Sequence, residues 1–183
     1  MDIFVEQLVT KKKTAGSYAR IWGGIIGAIL LLWLFFAVLY PIVLHVVPMM
    51  GAFAFLACVG LIYLLYLLIV NTNLEYEYCF TNGAMDVDKI INRRNRKRMA
   101  ELNARKIERM AKIGDAEFCR LMKDRSVKKM YACSDCKDSD TYYVYYENDK
   151  GKNLLLFNPN DKIRDSFRRF NPQKVFLNDE KRY

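Results

Sequence analysis

The stretch "LEYEYCFTNGAMDVDKIINRRNRKRM", residues 74–99, decides the fold. Leu74, Tyr76, Tyr78 and Phe80 fall on one side of an alternating pattern, with Glu75 and Glu77 on the other. Period two is the mark of a strand with one buried face. Asn82-Gly83 follows, and both residue types tolerate positive φ, which predicts a tight hairpin turn. Met85, Val87 and Lys89 carry the pattern into a second strand. The stretch closes on "RRNRKR", residues 93–98, which packs five positive charges into six residues.

Upstream lies the opposite extreme. Residues 21–74 contain no Asp, Glu, Lys or Arg. A membrane helix needs roughly 20 apolar residues to cross about 30 Å of hydrocarbon. The run is too long for one span and fits two with a tight connection. Pro41 and Pro48 mark the break, because proline removes a backbone donor and disfavours helix before it. The spans are expected over residues 21–40 and 49–70. A cleaved signal peptide would have a shorter apolar core and a small-residue cleavage site, whereas this run continues through Trp33-Leu34-Phe35-Phe36. Gly23 and Gly27 form a G-x-x-x-G pair, suited to packing the two spans together or to homodimerisation.

Flanking charge orients the hairpin. Lys11, Lys12, Lys13 and Arg20 precede it, the connection has no Lys or Arg, and all remaining Lys and Arg follow it. The positive-inside rule predicts a multi-pass cell-membrane protein with both termini cytoplasmic. Near the N-terminus, Phe4, Val5, Leu8 and Val9 sit at helical spacing opposite Asp2 and Glu6, which predicts a short interfacial helix.

Downstream, "VKKMYAC", "TYYVYYEN" and "NLLLFN" read as strands, joined by the turns "SDCKDSD" and "DKGK" in the same grammar as the first hairpin. "NPNDKIRDSFRRFNP" reads as a helix capped by Asn158 or Asn160, with Ile163, Phe167 and Phe170 along one stripe. For residues 93–125 the favoured reading is strand, a turn near 103–107, and strand. An amphipathic helix through Met99, Leu102, Met110 and Ile113 competes with it.

Two spans followed by "LEYEYCFTNGAMDVDKIINRRNRKRM", and "LLLFNPNDKIRDSFRRFNPQKV" at the end, resemble the bacterial pleckstrin-homology-like (PH-like) membrane proteins. The whole chain also resembles a set of small two-span proteins of Gram-positive bacteria that form a domain family of unknown function. The resemblance implies a strongly bent antiparallel sheet capped by a C-terminal helix, and a membrane-tethered scaffold or lipid-adjacent domain without catalytic residues. The charged middle, residues 100–123, departs from the family layout. The expected architecture is therefore an α-helical transmembrane hairpin followed by a mainly β, PH-like cytoplasmic domain. Its parts are an interfacial segment at 1–20, the hairpin at 21–70, the PH-like domain at 71–172 and a tail at 173–183.

The catalytic inventory is thin. His45 is the only histidine, so no His-based triad or His-rich metal site can form in the cytoplasmic part. Asp86 and Asp88 are spaced to share a strand face, where they would bind a divalent metal or, more commonly, answer nearby arginines. Cys133 and Cys136 form a C-x-x-C whose favoured reading is structural or incidental. The alternatives are a zinc set with Cys79 and Cys119, for which the usual second C-x-x-C is missing, and a redox pair, for which the thioredoxin-like βαβ context is missing. In a cytoplasmic domain these thiols are expected to stay reduced. Tyr142, Tyr143, Tyr145 and Tyr146 are expected to be core on one face and half-exposed on the other, with base stacking as the sharper alternative.

The net charge of +9 fits an anionic partner or, with no specific ligand, a solvated basic strand on the cytoplasmic side. Lys11, Lys12, Lys13, Arg93, Arg94, Arg96, Lys97 and Arg98 are the candidate contacts for anionic phospholipid head groups, each contributing on the order of 1 kcal/mol near such a surface. The expected role is a non-enzymatic, cofactor-free interaction or scaffold module beside the bilayer, with a protein partner or a second copy as further candidates. Membrane-anchored contact with nucleic acid or the ribosome is the alternative.

Overall fold

The computed structural model describes residues 3–41, 45, 51–70, 72–136, 138–149 and 151–177. They form two compact units, one built from Lys13–Asn73 and the other from the chain on either side of it.

The first unit is helical. Thr14 is extended and serves as N-cap to α1, Ala15–Leu34, which continues through a π-helical turn at Phe35–Leu39. The segment Ala15–Val38 is long and apolar enough to cross a bilayer, about 36 Å at 1.5 Å per residue. It starts earlier than residue 21 because the helix, capped at Thr14, runs through Arg20, a cation that ends the uncharged run but not the helix. Trp22, Ile26, Leu30 and Trp33 of α1 are exposed. A second helix, α2 (Gly51–Val70), lies where the second span was expected; its apolar part Phe55–Val70 is shorter than α1. The break over residues 41–48 falls mostly outside the described residues. Gly23 and Gly27 face open space, and it is Gly24 that approaches Leu65 of α2, at 3.7 Å from an added Cβ. Ala28, one turn on, is the buried residue of α1. The small-residue seam is thus displaced by one position from the G-x-x-x-G pair.

The second unit is built on two sheets. The first has the order β1-β2-β3-β4 and is antiparallel throughout. Its strands are β1 Phe4–Thr10, β2 Leu74–Thr81, β3 Ala84–Ile91 and β4 Asn95–Asn103. The expected hairpin is present: Asn82 (φ 49) and Gly83 (φ 96) turn β2 into β3. A Cβ on Gly83 would also meet the Phe170 ring at 3.1 Å.

The interfacial helix expected at the N-terminus is corrected. Residues 4–10 are β1, paired along their whole length with β2 from Phe4↔Thr81 to Thr10↔Glu75. Val5, Gln7 and Val9 turn inward while Phe4, Glu6, Leu8 and Thr10 are exposed. The same apolar residues fit a short helix locally, but so short a helix is marginal alone, whereas the edge of β2 offers a full ladder of backbone partners.

The second sheet has the order β6-β8-β7-β5-β9. The favoured reading of the charged middle holds over β4, a 3₁₀ turn at Ala104–Lys106, and β5, Ile107–Lys112. A helix follows that the strand reading lacked: α3, Ala116–Lys123, capped by Asp115 Oδ1 accepting from Phe118 N at 2.7 Å. Strands β6 (Lys128–Ala132), β7 (Tyr142–Asn148) and β8 (Gly151–Phe157) lie where expected. The hairpin grammar holds for β7–β8 but not for β6, which skips β7 and pairs in parallel with β8. Residues 133–141 make that crossover.

Helix α4, Asp161–Phe170, is capped by Asn160 Oδ1 accepting from Ile163 N at 2.9 Å. Its Ile163 and Phe167 are fully buried in the core shared by both sheets. Phe167 lies 5.2 Å from the Phe80 ring and 6.2 Å from that of Phe157. Residues 173–183 were expected as a tail, yet Val175–Phe176 form β9, parallel to β5. Val175 is buried because it joins the core beside Met110. A smaller core lies on the other face of the second sheet, where Leu121 of α3 meets Tyr143, Leu154 and Leu156.

Candidate functional site: a paired charge face and an open cleft

On a regular strand, Arg96, Arg98, Ala100 and Leu102 would share one face, and Ala100 and Leu102 are buried. The arginines are not, because β4 carries a bulge. Val87 pairs with Ala100 and Asp88 with Arg98, so Met99 is the extra residue. One unpaired residue reverses the facing of everything beyond it. Arg96 and Arg98 thereby join Glu75, Glu77, Asp86 and Asp88 on the outer face.

The cluster "RRNRKR" is largely answered there. Arg96 reaches Glu77 at 2.8 Å, and Arg93 reaches Glu75 at 3.3 Å. Arg98 contacts Asp86 at 3.1 Å, Asp88 at 3.2 Å and Glu101 at 3.9 Å. The Asp86/Asp88 pair is therefore a strand face answering an arginine. Burial raises the Asp86 carboxyl above the ordinary range, with Arg98 pulling it down. Burial and then a hydrogen bond with Glu6 raise that of Glu77, against the pull of Arg96. The Arg98 guanidinium is held still more firmly charged, first by its bond to Asp88 and then by Asp86.

The other candidate cations divide. Lys12 Nζ pairs with Asp138 at 3.1 Å. Arg94, Lys97, Lys11 and Lys13 are exposed, and their side chains have no partner among the described residues. The Arg93–Arg94 turn and Lys11 share one sheet end: Lys11 N donates to Leu74 O at 3.0 Å, and Leu74 pairs with Ile91. That is also the end from which the chain passes into the helical unit, after Lys12, and returns from it, at Leu74.

A second feature was invisible in the sequence. Strand β4 ends the first sheet and β6 ends the second. Between them opens a cleft of about 750 Å³, with Ala100, Leu102, Met130 and Tyr146 among its apolar lining, and with Arg98, Lys106 and Lys128 balanced by Glu101, Glu147 and Asp149 in its charged lining. Ala104 N donates to Gly83 O at 2.7 Å. Antiparallel alternation then turns the N–H and C=O of Asn103 and Glu101 toward the free edge.

The tyrosine strand is core on both faces. Tyr142, Tyr143 and Tyr146 are buried, and burial pushes the Tyr146 hydroxyl up to about 12. The base-stacking alternative is corrected by this burial, since α3 covers the face that stacking would use. Tyr143 donates to Asp115 Oδ2 at 2.9 Å and accepts from Arg109 Nε at 3.0 Å, which anchors α3 to the sheet.

The cysteines are also corrected. Cys133 and Cys136 are joined in a disulfide, their Cα atoms 5.4 Å apart, so they are not both free thiols. Cys79 lies on β2 and the exposed Cys119 on α3. Among the described residues no group of three or more His, Cys, Asp or Glu is placed to hold a metal. The four-cysteine set does not converge because the crossover loop commits two members to each other.

That loop is held by residues no local pattern revealed. Ser134 Oγ donates to Thr10 O at 2.8 Å, and Ser134 N donates to Asn158 Oδ1 at 2.8 Å. Asn158 Nδ2 donates to Thr141 Oγ1 at 3.0 Å, and Thr141 Oγ1 donates to Asp135 O at 3.0 Å. Gln7 joins the same knot, donating to Asn158 O at 2.9 Å and accepting from Asn160 N at 2.8 Å.

Two sheets around one core, closed by a C-terminal helix, agree with a family match to "Bacterial PH-like domain (DUF6106)" over residues 1–177. The chain belongs to this family. The match takes in residues 1–12, in keeping with β1 as a strand of the PH-like domain. No curated protein and no solved structure matches the chain.

Proposed function

We propose that this chain is a non-enzymatic, two-span membrane protein whose PH-like domain is an interaction module, taking an extended segment of a partner protein along β4. The observation that carries this reading is the β4 edge, free among the described residues, beside a cleft of about 750 Å³. An unpaired edge is a template for strand addition. The apolar lining would receive alternate side chains of the guest, while the charged lining, Arg98, Lys106 and Lys128 against Glu101, Glu147 and Asp149, favours polar residues of no single sign between them.

The two-span reading rests on α2, whose 20 residues would cover about 30 Å. Flanking charge supports cytoplasmic termini. The test is a photo-crosslinking side chain at Asn103 in native membranes, compared with one at the outer-face position Asp86. Adducts with one protein, obtained at the edge and lost on Glu101→Pro, support the reading. Proline there removes only an outward donor. Equal crosslinking at Asp86, or adducts indifferent to the proline, would sink it.

A second reading, contact with anionic phospholipid, is favoured by Arg94, Lys97, Lys11 and Lys13, unpaired among the described residues, of which Lys11 and Arg94 share one sheet end. It predicts that a spin label at Arg94→Cys becomes shielded from water in nanodiscs with anionic lipid and not in neutral ones. Equal exposure in both would discard it. Nucleic-acid contact loses its aromatic surface to the buried tyrosines; if it holds, RNA rather than lipid shields that label.

A further inference from the structure

The crossover loop carries chemistry that the interaction reading does not use. Its C-x-x-C is closed, with Cα atoms 5.4 Å apart, inside the range a disulfide needs without backbone movement. The two sulfurs differ in access: Cys133 is 2% exposed, and Cys136 is half-buried at the margin of the smaller core. The residue between them that matters is Ser134. It accepts from Lys12 N at 3.0 Å and donates through Oγ to Thr10 O at 2.8 Å. Lys12 Nζ reaches Asp138 in the same loop at 3.1 Å. Loop 133–138 therefore grips the last residues of the β unit before the chain enters α1.

We propose that Cys133–Cys136 is a thiol–disulfide exchange site whose substrate is a dithiol, and that its redox state sets how firmly the loop holds residues 10–12. The incoming thiolate attacks the accessible Cys136 sulfur, forming a mixed disulfide and releasing Cys133 as a thiolate that takes up a proton. The second thiol of the substrate then attacks its own sulfur in that mixed disulfide and expels Cys136, which is protonated in turn. Two electrons and two protons pass to the protein, and the dithiol leaves as a disulfide. Opening the ring frees the backbone of Ser134 and loosens its bonds to Thr10 and Lys12. Cys58, Cys79 and Cys119 are free thiols and serve as an internal count.

The experiment uses the full chain in lipid nanodiscs, equilibrated in buffers of reduced and oxidised dithiothreitol. Acid quench, denaturation and maleimide labelling are followed by intact mass. The expected result is three labels at the oxidising end, five at the reducing end, and a reversible transition between them. Hydrogen exchange of the Lys12 amide is read on the same samples. Reduction should speed it about tenfold, as local opening exposes that bond, and the Cys133→Ser/Cys136→Ser variant should exchange fast in both buffers. Ser134→Ala guards against misfolding of that variant: it should keep the two-label transition while exchanging Lys12 faster even when oxidised. Five labels throughout, or three that no dithiothreitol ratio changes, would overturn the exchange site. A Lys12 amide indifferent to reduction would overturn the coupling.

Discussion

Deleting Met99 tests the reversal on which the charge face rests. Val87 pairs with Ala100 and Asp88 with Arg98, so removing Met99 leaves every other β3–β4 pair in place. Arg96 and Arg98 stay on the outer face, opposite Glu77, Asp86 and Asp88. The loss is the half-buried Met99 side chain, which packs against the main core, together with the local bend of the bulge. Full burial of a methionine is worth about 1.5–3 kcal/mol, so half of it costs about 0.8–1.5 kcal/mol. For a domain of this size that is a fall in Tm of about 3–8 °C. Near-UV circular dichroism of the full chain in micelles, followed through a thermal ramp, reads it from the buried tyrosines. If Met99 were instead an ordinary strand residue, the deletion would turn two arginines toward Ala100 and Leu102. Each unpaired buried guanidinium would cost several kcal/mol. Loss of the near-UV signal at every temperature would therefore refute the bulge and the facing derived from it.

Three other outcomes follow from the same geometry. Phe167→Ala empties a fully buried site between Phe80 and Phe157 and should destabilise the domain by about 3–5 kcal/mol in urea unfolding; a loss under 1 kcal/mol would mean that α4 does not close the core. Gly83→Ala meets both a φ of +96° and the Phe170 ring at 3.1 Å, for a cost of about 1–2 kcal/mol, and the same unfolding assay would expose a neutral result. Glu77 titrates above the ordinary carboxylate range because it is buried and bonded to Glu6. The folded state then holds that proton more tightly than the unfolded chain, so its contribution to stability falls as pH rises from the unfolded pKa through the raised one. Glu77→Gln should flatten the stability profile in that window; an unchanged slope, measured by denaturation at several pH values, would remove Glu77 as its source.

The sequence was legible wherever one residue's neighbours decide its state. Alternation from Leu74 to Phe80 specifies a strand because side chains along it point to opposite faces. Asn82-Gly83 specifies the turn because few residues tolerate positive φ. Asn160, Ile163 and Phe167 specify a capped helix with one apolar stripe. The apolar run of α1 needs only its length. The candidate site was less readable. "RRNRKR" displays its charge in the sequence, but the carboxylates that answer it lie on β2 and β3, and the bulge that turns Arg96 and Arg98 toward them has no local signature. The cleft beside β4 exists only because two sheets end next to each other.

By itself, then, the sequence determined the β grammar, the apolar helix, the closing helix and the strand–turn–strand course of its charged middle. Tertiary structure decided that residues 4–10 are a strand, that β6 bypasses β7, that Cys133 meets Cys136, and that Thr10 is tied to Ser134. The physical reason is range. Periodicity records which way a side chain points, whereas a backbone group accepts whichever partner satisfies it, and here those partners lie far along the chain. Ile3 bonds Asn82 across 79 positions, Ser134 bonds Thr10 across 124, and Gln7 bonds Asn158 across 151. Only the packed fold, by bringing distant strands and loops side by side, puts such partners within reach of one another.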